Sequence, residues 1–219
     1  MRTLILSDIH IGDPRYINTK TIQILLVTEK YDQLILNGDF LDLWLADIED
    51  VFKDPLLSLI ENISHVKKVI WIIGNHDQDI LNFGKSIILH KSDKVEFVEI
   101  NSGDKKILII HGHQVYRNKN YSGFNKLLSK VDILFYKFFE VDFQYLYTCT
   151  YFYKKYVQRK RQKMLKKYGH NADYIIMGHT HLIGYIWNGK TELFDIGSSM
   201  KTKSYAIVED GLVWLKLIN

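Results

Sequence analysis

Residues 68–80 read KVIWIIGNHDQDI. The apolar run from Val69 to Ile73 stops at Gly74, and Asn75, His76 and Asp77 follow at once. Taken alone, this is a buried strand and a turn, because Gly and Asn are turn residues and loop His and Asp are ordinarily solvated. The pattern recurs, however. TLILSD (3–8), QLILNGD (33–39), KILIIHGH (106–113) and YIIMGH (174–179) are also short Ile- and Leu-rich runs that end in Gly, Asp or His. Such runs read as buried strands.

Helical segments at about 19–30 and 49–65 separate the first three runs, which predicts βαβ units. From about residue 184 the pattern changes to alternation. GYIWNGKTELFDIG and KSYAIVEDGLVWLKL turn at Asn188-Gly189 and Asp210-Gly211, as hairpins do. Residues 121–168 stand apart as a helical, aromatic insertion. Phe139, Phe143, Leu146, Tyr147 and Thr150 keep helical spacing, and Tyr151, Phe152, Tyr153 and Tyr156 follow. This stretch is too long for a plain loop. It is expected to be a lid within a single domain spanning 1–219, a helical hairpin packed on the core being the alternative.

The composition is that of an ordinary globular chain, 47% hydrophobic and 25% charged. The single cysteine, Cys149, excludes an intramolecular disulfide and any Cys-based zinc site, and reads as a small core residue. No presequence or uncharged apolar span is evident, so a cytoplasmic location is expected. The net charge is only +4, but it is uneven: Phe152–Tyr168 holds eight Lys or Arg and no acid. A basic block suits an anionic partner, either an acidic membrane surface or nucleic acid, or is simply a solvated helix face.

The polar residues fall where chemistry needs them. Asp8 and His10 end the first run, Asp39 and Asp42 the second, and Asn75, His76 and Asp77 the third. His111 and His113 follow another, and His179 and His181 the last. In open α/β sheets, ligands bind at the carboxyl ends of strands. In DIH and HTH the outer residues are two apart, so an extended chain would aim both to one side. Oxygen plus imidazole without thiolate suits Mn, Fe, Zn or Ni. Asp8, His10, Asp39, Asn75, His111, His179 and His181 are too many donors for one ion. Two divalent ions sharing a carboxylate, for which Asp39 is the natural choice, would use them all.

The order D-x-H, G-D-x-x-D, G-N-H-D, H-x-H, G-H-x-H resembles the calcineurin-like metallophosphoesterase superfamily over Asp8 to His181. That resemblance implies a four-layer αββα sandwich and hydrolysis of a phosphodiester or pyrophosphate at a dinuclear centre, with Mn²⁺ the expected ion. It implies that Asp8, His10, Asp39 and His181 hold one ion, and Asp39, Asn75, His111 and His179 the other. His76 would act on the phosphoester as general acid or charge stabiliser, with Asp77 orienting it. His113 receives no role. Relatives acting on phosphoproteins or dinucleoside tetraphosphates read GDxxDRG, whereas this chain reads GDFLDLW, without the arginine. GDFLDLW and the insertion resemble instead UDP-2,3-diacylglucosamine pyrophosphatases, which cleave a lipid A precursor at the membrane surface beneath a lid. The best-known branch has arginine where His76 stands and HGD where this chain has HGH; a second branch keeps GNHD. The alternative is a phosphodiesterase or nuclease whose basic helix, 152–168, meets nucleic acid. A metal-retaining scaffold for protein binding is a third reading, against which the full donor set argues.

Overall fold

The computed structural model describes residues 1–16, 19–83, 91–116, 122–139, 142, 146–147 and 149–218. Its described strands are β1 (Thr3–Leu6), β2 (Gln33–Asn37), β3 (Lys68–Ile72), β4 (Asp93–Val95), β5 (Phe97–Ser102), β6 (Lys105–Ile110), β7 (Tyr174–Met177), β8 (Ile183–Trp187), β9 (Glu192–Ile196), β10 (Ser204–Glu209) and β11 (Leu212–Leu217). They form two mixed sheets, ordered β11-β10-β1-β2-β3-β4 and β5-β6-β7-β9-β8. The helices are α1 (Lys20–Thr28), α2 (Ile48–Val51), α3 (Pro55–Ser64), α4 (Ser122–Phe139) and α5 (Tyr151–Tyr168).

Strand periodicity sorts the apolar residues into layers. In the first sheet Leu4, Leu6, Leu34, Leu36, Val69 and Trp71 point to the side where α1 and α3 pack. Their neighbours Ile5, Ile35, Ile70 and Ile72 point the other way and meet Ile107, Ile109, Ile176 and Ile196 of the second sheet. That sheet's outer residues, Leu108, Ile110, Ile175 and Leu193, receive Met164 and Leu165 of α5. The result is four layers, helix–sheet–sheet–helix, as expected. Buried on both faces, the strands give continuous apolar runs.

Several expectations change in detail. The single helix read at 49–65 is divided into α2 and α3. Pro55 holds its predecessor Asp54 in an extended conformation, and Asp54 caps α3 by accepting from Leu56 N–H at 2.8 Å. β4 has only three residues, too few to show a pattern, and β5 alternates in burial but sets Phe97 on its exposed side. Cys149 is exposed rather than in the core. The continuous spacing read from Phe139 to Thr150 is not one helix: α4 ends at Phe139, and Thr150 caps α5 by accepting from Tyr153 N–H at 3.2 Å. Phe143 lies outside the described residues. The insertion is also not lid throughout. α5 is the outer layer on the second sheet, with Val157, Met164 and Leu165 buried. Among the described residues, no helix is long and apolar enough to cross a membrane.

β1, β2 and β3 run parallel, as do β6 and β7. The polar residues that follow these strands therefore meet at one end of the sandwich.

Candidate metal centre

The chain turns sharply where the strands end. Among the described residues, five of the seven non-glycine residues with positive φ are Asp8, His10, Asp39, His179 and His181, at +50° to +68°. This left-handed backbone costs on the order of 1–3 kcal/mol per residue and persists only where the surroundings over-determine it. Here they do. Asp8 N–H donates to Gly38 O at 3.0 Å and His10 N–H to Asp39 O at 2.9 Å. His179 N–H donates to Asp8 Oδ2 at 2.8 Å, and His76 N–H to Asp39 Oδ1 at 2.8 Å. Gly74 is needed for that last contact, since a Cβ there would overlap Asp39 N and Oδ1. DIH and HTH are therefore not extended: their left-handed residues bring Asp8 and His10 to one group and send His179 and His181 to two.

Two donor groups result. In the first, His181 Nε2 lies 3.1 Å from Asp8 Oδ1 and 3.2 Å from His10 Nε2. In the second, His111 Nε2 lies 3.1 Å from Asp39 Oδ2, and His179 completes the group. Asp39 Oδ2 is also 4.0 Å from His10 Nε2, so this one oxygen faces both groups. His179 and His181 fall on different sides, one to each group. Donors bound at about 2.1 Å to one ion sit roughly 3–4 Å apart, as these do. Orphaned atoms point the same way: Asn75 Oδ1, Asp8 Oδ1 and His111 Nε2 are buried and make no hydrogen bond. A buried polar atom so placed is costly unless something else fills its valence. Two divalent cations fit this oxygen and imidazole set.

In His10 and His111 the ring nitrogen facing away is already engaged. His10 Nδ1 donates to Asp42 Oδ2 at 3.0 Å, and His111 Nδ1 to Asn37 O at 2.8 Å. In the neutral ring this leaves Nε2 with a lone pair facing inward. Lys160 Nζ of α5 lies 2.8 Å from His179 Nε2; for Nδ1 to face an ion, the ring proton must sit on Nε2 and be donated to the neutral Lys160 amine, a form that burial favours by lowering its pKa to about 8. His113 opens a short 3₁₀ turn at His113–Tyr116, its ring 5.5 Å from His111 and 6.5 Å from His179.

Around His76, one expectation is corrected. Asp77 does not orient His76. Its carboxylate is fully buried and accepts from Leu41 N–H, Gly74 N–H and Trp71 Nε1–H, at 2.8, 2.9 and 3.3 Å. It shapes the loop, and the tight turn at Gly74 carries it away from the ring beside it in sequence. The carboxylate near His76 is Asp42, whose Oδ2 is 3.0 Å from Nδ1 as an ionic contact rather than an aligned hydrogen bond. Trp44 stacks on the His76 ring at 3.9 Å. Asp42 therefore serves both His10 and His76. Asp42 and Trp44 both lie in GDFLDLW, but nothing in their spacing shows which histidine they meet. Lys160 and Arg161, which turn inward from the basic block, were also illegible there.

Electrostatics match a site built for cations. Burial alone lowers His10, but its bond to Asp42 and the charges of Asp39, Asp42 and Asp8 lift it to about 10. Burial lowers His111 too, and Asp39 and Asp8 lift it to about 9. Burial raises Asp39, yet His111 and His76 hold it well below the usual carboxylate range. In the metal-free chain, protons take the place of cations. A histidine raised on folding stabilises the fold fully below its unfolded value of 6.5, and that contribution is lost as pH rises through 9 and 10. Lys160, lowered by burial to about 8, acts in the opposite sense, as do Lys94 and Lys201 with smaller shifts. The Tm of metal-stripped protein is therefore expected to fall between pH 7 and 10, and Mn²⁺ to flatten the profile. A flat profile for the stripped chain would contradict this electrostatic picture.

Comparison with known proteins agrees with the geometry. The chain is 32% identical over 136 residues to a UDP-2,3-diacylglucosamine hydrolase of Psychromonas ingrahamii, a match covering 58% of this chain and 54% of that protein. The match thus spans about half the length of that relative. In fold, the chain is similar to an archaeal phosphodiesterase at 16% identity and a TM-score of 0.52, covering 99% of each chain. It is similar to Yfce, a phosphoesterase from E. coli, at 16% identity and a TM-score of 0.51, covering 100% of each. The model of the calcineurin-like phosphoesterase family matches residues 1–182, a span that contains every motif of the donor set. The chain belongs to that family, and its donor groups could hold the metal ions of a phosphoesterase.

Proposed function

We propose that this phosphoesterase cleaves the pyrophosphate of a nucleotide-diphosphate lipid of the UDP-2,3-diacylglucosamine type, at an anionic membrane surface. The observation that carries this reading is α4. Leu127, Leu128, Val131, Leu134, Phe135, Phe138 and Phe139 are all exposed on it, an apolar face larger than a solvated helix keeps. α4 is tied to the rim of the centre at two points. Arg15, five residues after His10, reaches Asp132 Oδ2 at 2.7 Å, and Lys126 reaches Asp79 Oδ2 at 2.9 Å, just after Asp77. A greasy face beside a phosphate-cleaving centre suits a substrate with acyl chains. α5 in turn exposes Lys154, Lys155, Arg159, Lys163, Lys166 and Lys167, a fit for acidic headgroups at the cytoplasmic face. The partial relative supports the same substrate class.

In this reading Asp8, His10, Asp39 and His181 hold one divalent ion, and Asp39, Asn75, His111 and His179 the other. Bound there, two ions supply Lewis acidity and a water acidic enough to lose its proton near neutral pH. Mn²⁺ is proposed on the donor chemistry, with Fe, Zn and Ni as the competing arms of a metal screen. The chain's own residues do the rest. Asp42 holds His76 Nδ1 and Trp44 fixes the ring plane, so Nε2 is left to give a proton to the leaving oxygen.

The test compares UDP-2,3-diacylglucosamine in mixed micelles, single-stranded DNA and cyclic nucleotides, each with Mn²⁺-loaded protein. UMP release from the lipid is expected. No UMP, with turnover of DNA, would sink the lipid reading in favour of a nuclease that uses the basic face of α5 on phosphates. The apolar face has its own prediction. Phe135→Glu with Phe138→Glu should weaken turnover of vesicle-borne lipid roughly 10²–10⁴-fold, since each buried Phe is worth ~1.5–3 kcal/mol and both are lost. Turnover of bis-p-nitrophenyl phosphate should stay unchanged. Equal loss on both substrates would mean that α4 supports the fold rather than the lipid.

A further inference from the structure

We propose that Arg161 is a positioning residue, through which the outer helix α5 braces the 178–182 loop and its two histidine donors, His179 and His181. This rests on the metal-centre reading and adds a role for a helix that sequence alone marks only as basic.

Arg161 and its neighbour Lys160 are the inward-facing cations of the basic block, 9% and 6% exposed. The Arg161 guanidinium donates through Nε to Asp195 Oδ2 at 3.0 Å and through Nη2 to Leu182 O at 2.9 Å. The same Asp195 oxygen accepts from Thr180 Oγ1 at 2.6 Å. Thr180 is the residue between the two histidines, and it is fully buried. A second residue of α5 holds its carbonyl: Tyr153 O–H donates to Thr180 O at 2.7 Å. The loop is thus gripped at the side chain and carbonyl of residue 180 and at the carbonyl of residue 182, each time from α5 or through Asp195. It needs such a grip, because His179 and His181 hold positive φ, at +68° and +54°, without being glycine.

Gly184 supplies an independent sign. It pairs directly with Asp195 across β8 and β9. A Cβ at Gly184 would overlap the Arg161 guanidinium, so the guanidinium occupies a place that only glycine leaves open. A buried Arg–Asp pair contributes little net stability over an apolar packing, so fold stability alone does not account for it. Holding two donors at fixed positions does. Metal retention and docking of α5 then become linked properties, each favouring the other.

The experiment is Mn²⁺ titration of the full chain against a competing chelator, with the Tm of the metal-free protein measured alongside. Arg161→Ala risks misfolding, so Tyr153→Phe, Arg161→Lys and Gly184→Ala carry the test, with Gln162→Ala on the exposed face of α5 as control. The three variants should bind Mn²⁺ roughly 10–100-fold more weakly, the cost typical of losing support behind a metal ligand. Tyr153→Phe should do so with metal-free Tm within a few degrees of wild type, which a merely structural role does not allow. Excess Mn²⁺ should rescue turnover in each. Wild-type affinity in folded Tyr153→Phe and Gly184→Ala would overturn the brace and leave the centre standing. A wild-type chain that takes up no metal would overturn the reading of the centre, and the brace with it.

Discussion

Asp39→Asn protein is expected to fold, to lose uptake of metal at both sites, and to lose more than ~10³-fold in turnover, since losing one electrostatic stabiliser already costs ~10²–10³. The substitution is nearly isosteric. Asn can still accept from His76 N–H through the oxygen that now does so at 2.8 Å. What changes is the other atom. Asp39 Oδ2 faces His111 Nε2 at 3.1 Å and His10 Nε2 at 4.0 Å, and an amide nitrogen there turns N–H groups toward a place meant for cations. Metal content by elemental analysis after gel filtration, beside turnover of bis-p-nitrophenyl phosphate, checks both halves. Retention of one full equivalent of metal would mean that Asp39 belongs to one ion only.

His76→Ala separates chemistry from metal binding. It should keep two ions per chain and lose ~10²–10⁴-fold in kcat, the usual worth of a positioned proton donor. The ring sits at the edge of the donor set, with Nδ1 on Asp42 and Trp44 stacked against its face. Loss of metal with the ring would show that His76 is a ligand instead. Asp77→Asn supplies the contrast. Its carboxylate accepts from three N–H groups and touches no part of His76, so its cost should appear in Tm before it appears in chemistry.

The sequence is legible wherever one physical rule dominates. Strands buried on both faces give unbroken apolar runs, and the six-residue KILIIH reads as β6 and its exit without ambiguity. The donors are legible because each follows such a run. β4 and β5 are not, since the three residues of β4 are too few to show a period and Phe97, facing outward, spoils the alternation of β5. Pro55 was present to divide the helix at 49–65, but a four-residue α2 before it is below the length that periodicity resolves. The roles of Asp42 and Asp77 could not be told apart, because both follow strands and the turn after each strand decides where the carboxylate ends. Lys160 and Arg161 sit in a block of like charge, and composition averages over the two that face inward. Direction around a helix is set by what the opposite layer offers, here His179 and Asp195.

The central claim is that two divalent ions, held by these strand-end residues, make the chain a phosphoesterase. The most direct measurement is a titration of EDTA-stripped protein with Mn²⁺ while hydrolysis of bis-p-nitrophenyl phosphate is followed. The expected result is no turnover without metal and a rate that rises until two ions are bound per chain. Saturation at two bound ions with no hydrolysis, or full hydrolysis by the stripped protein, would contradict it.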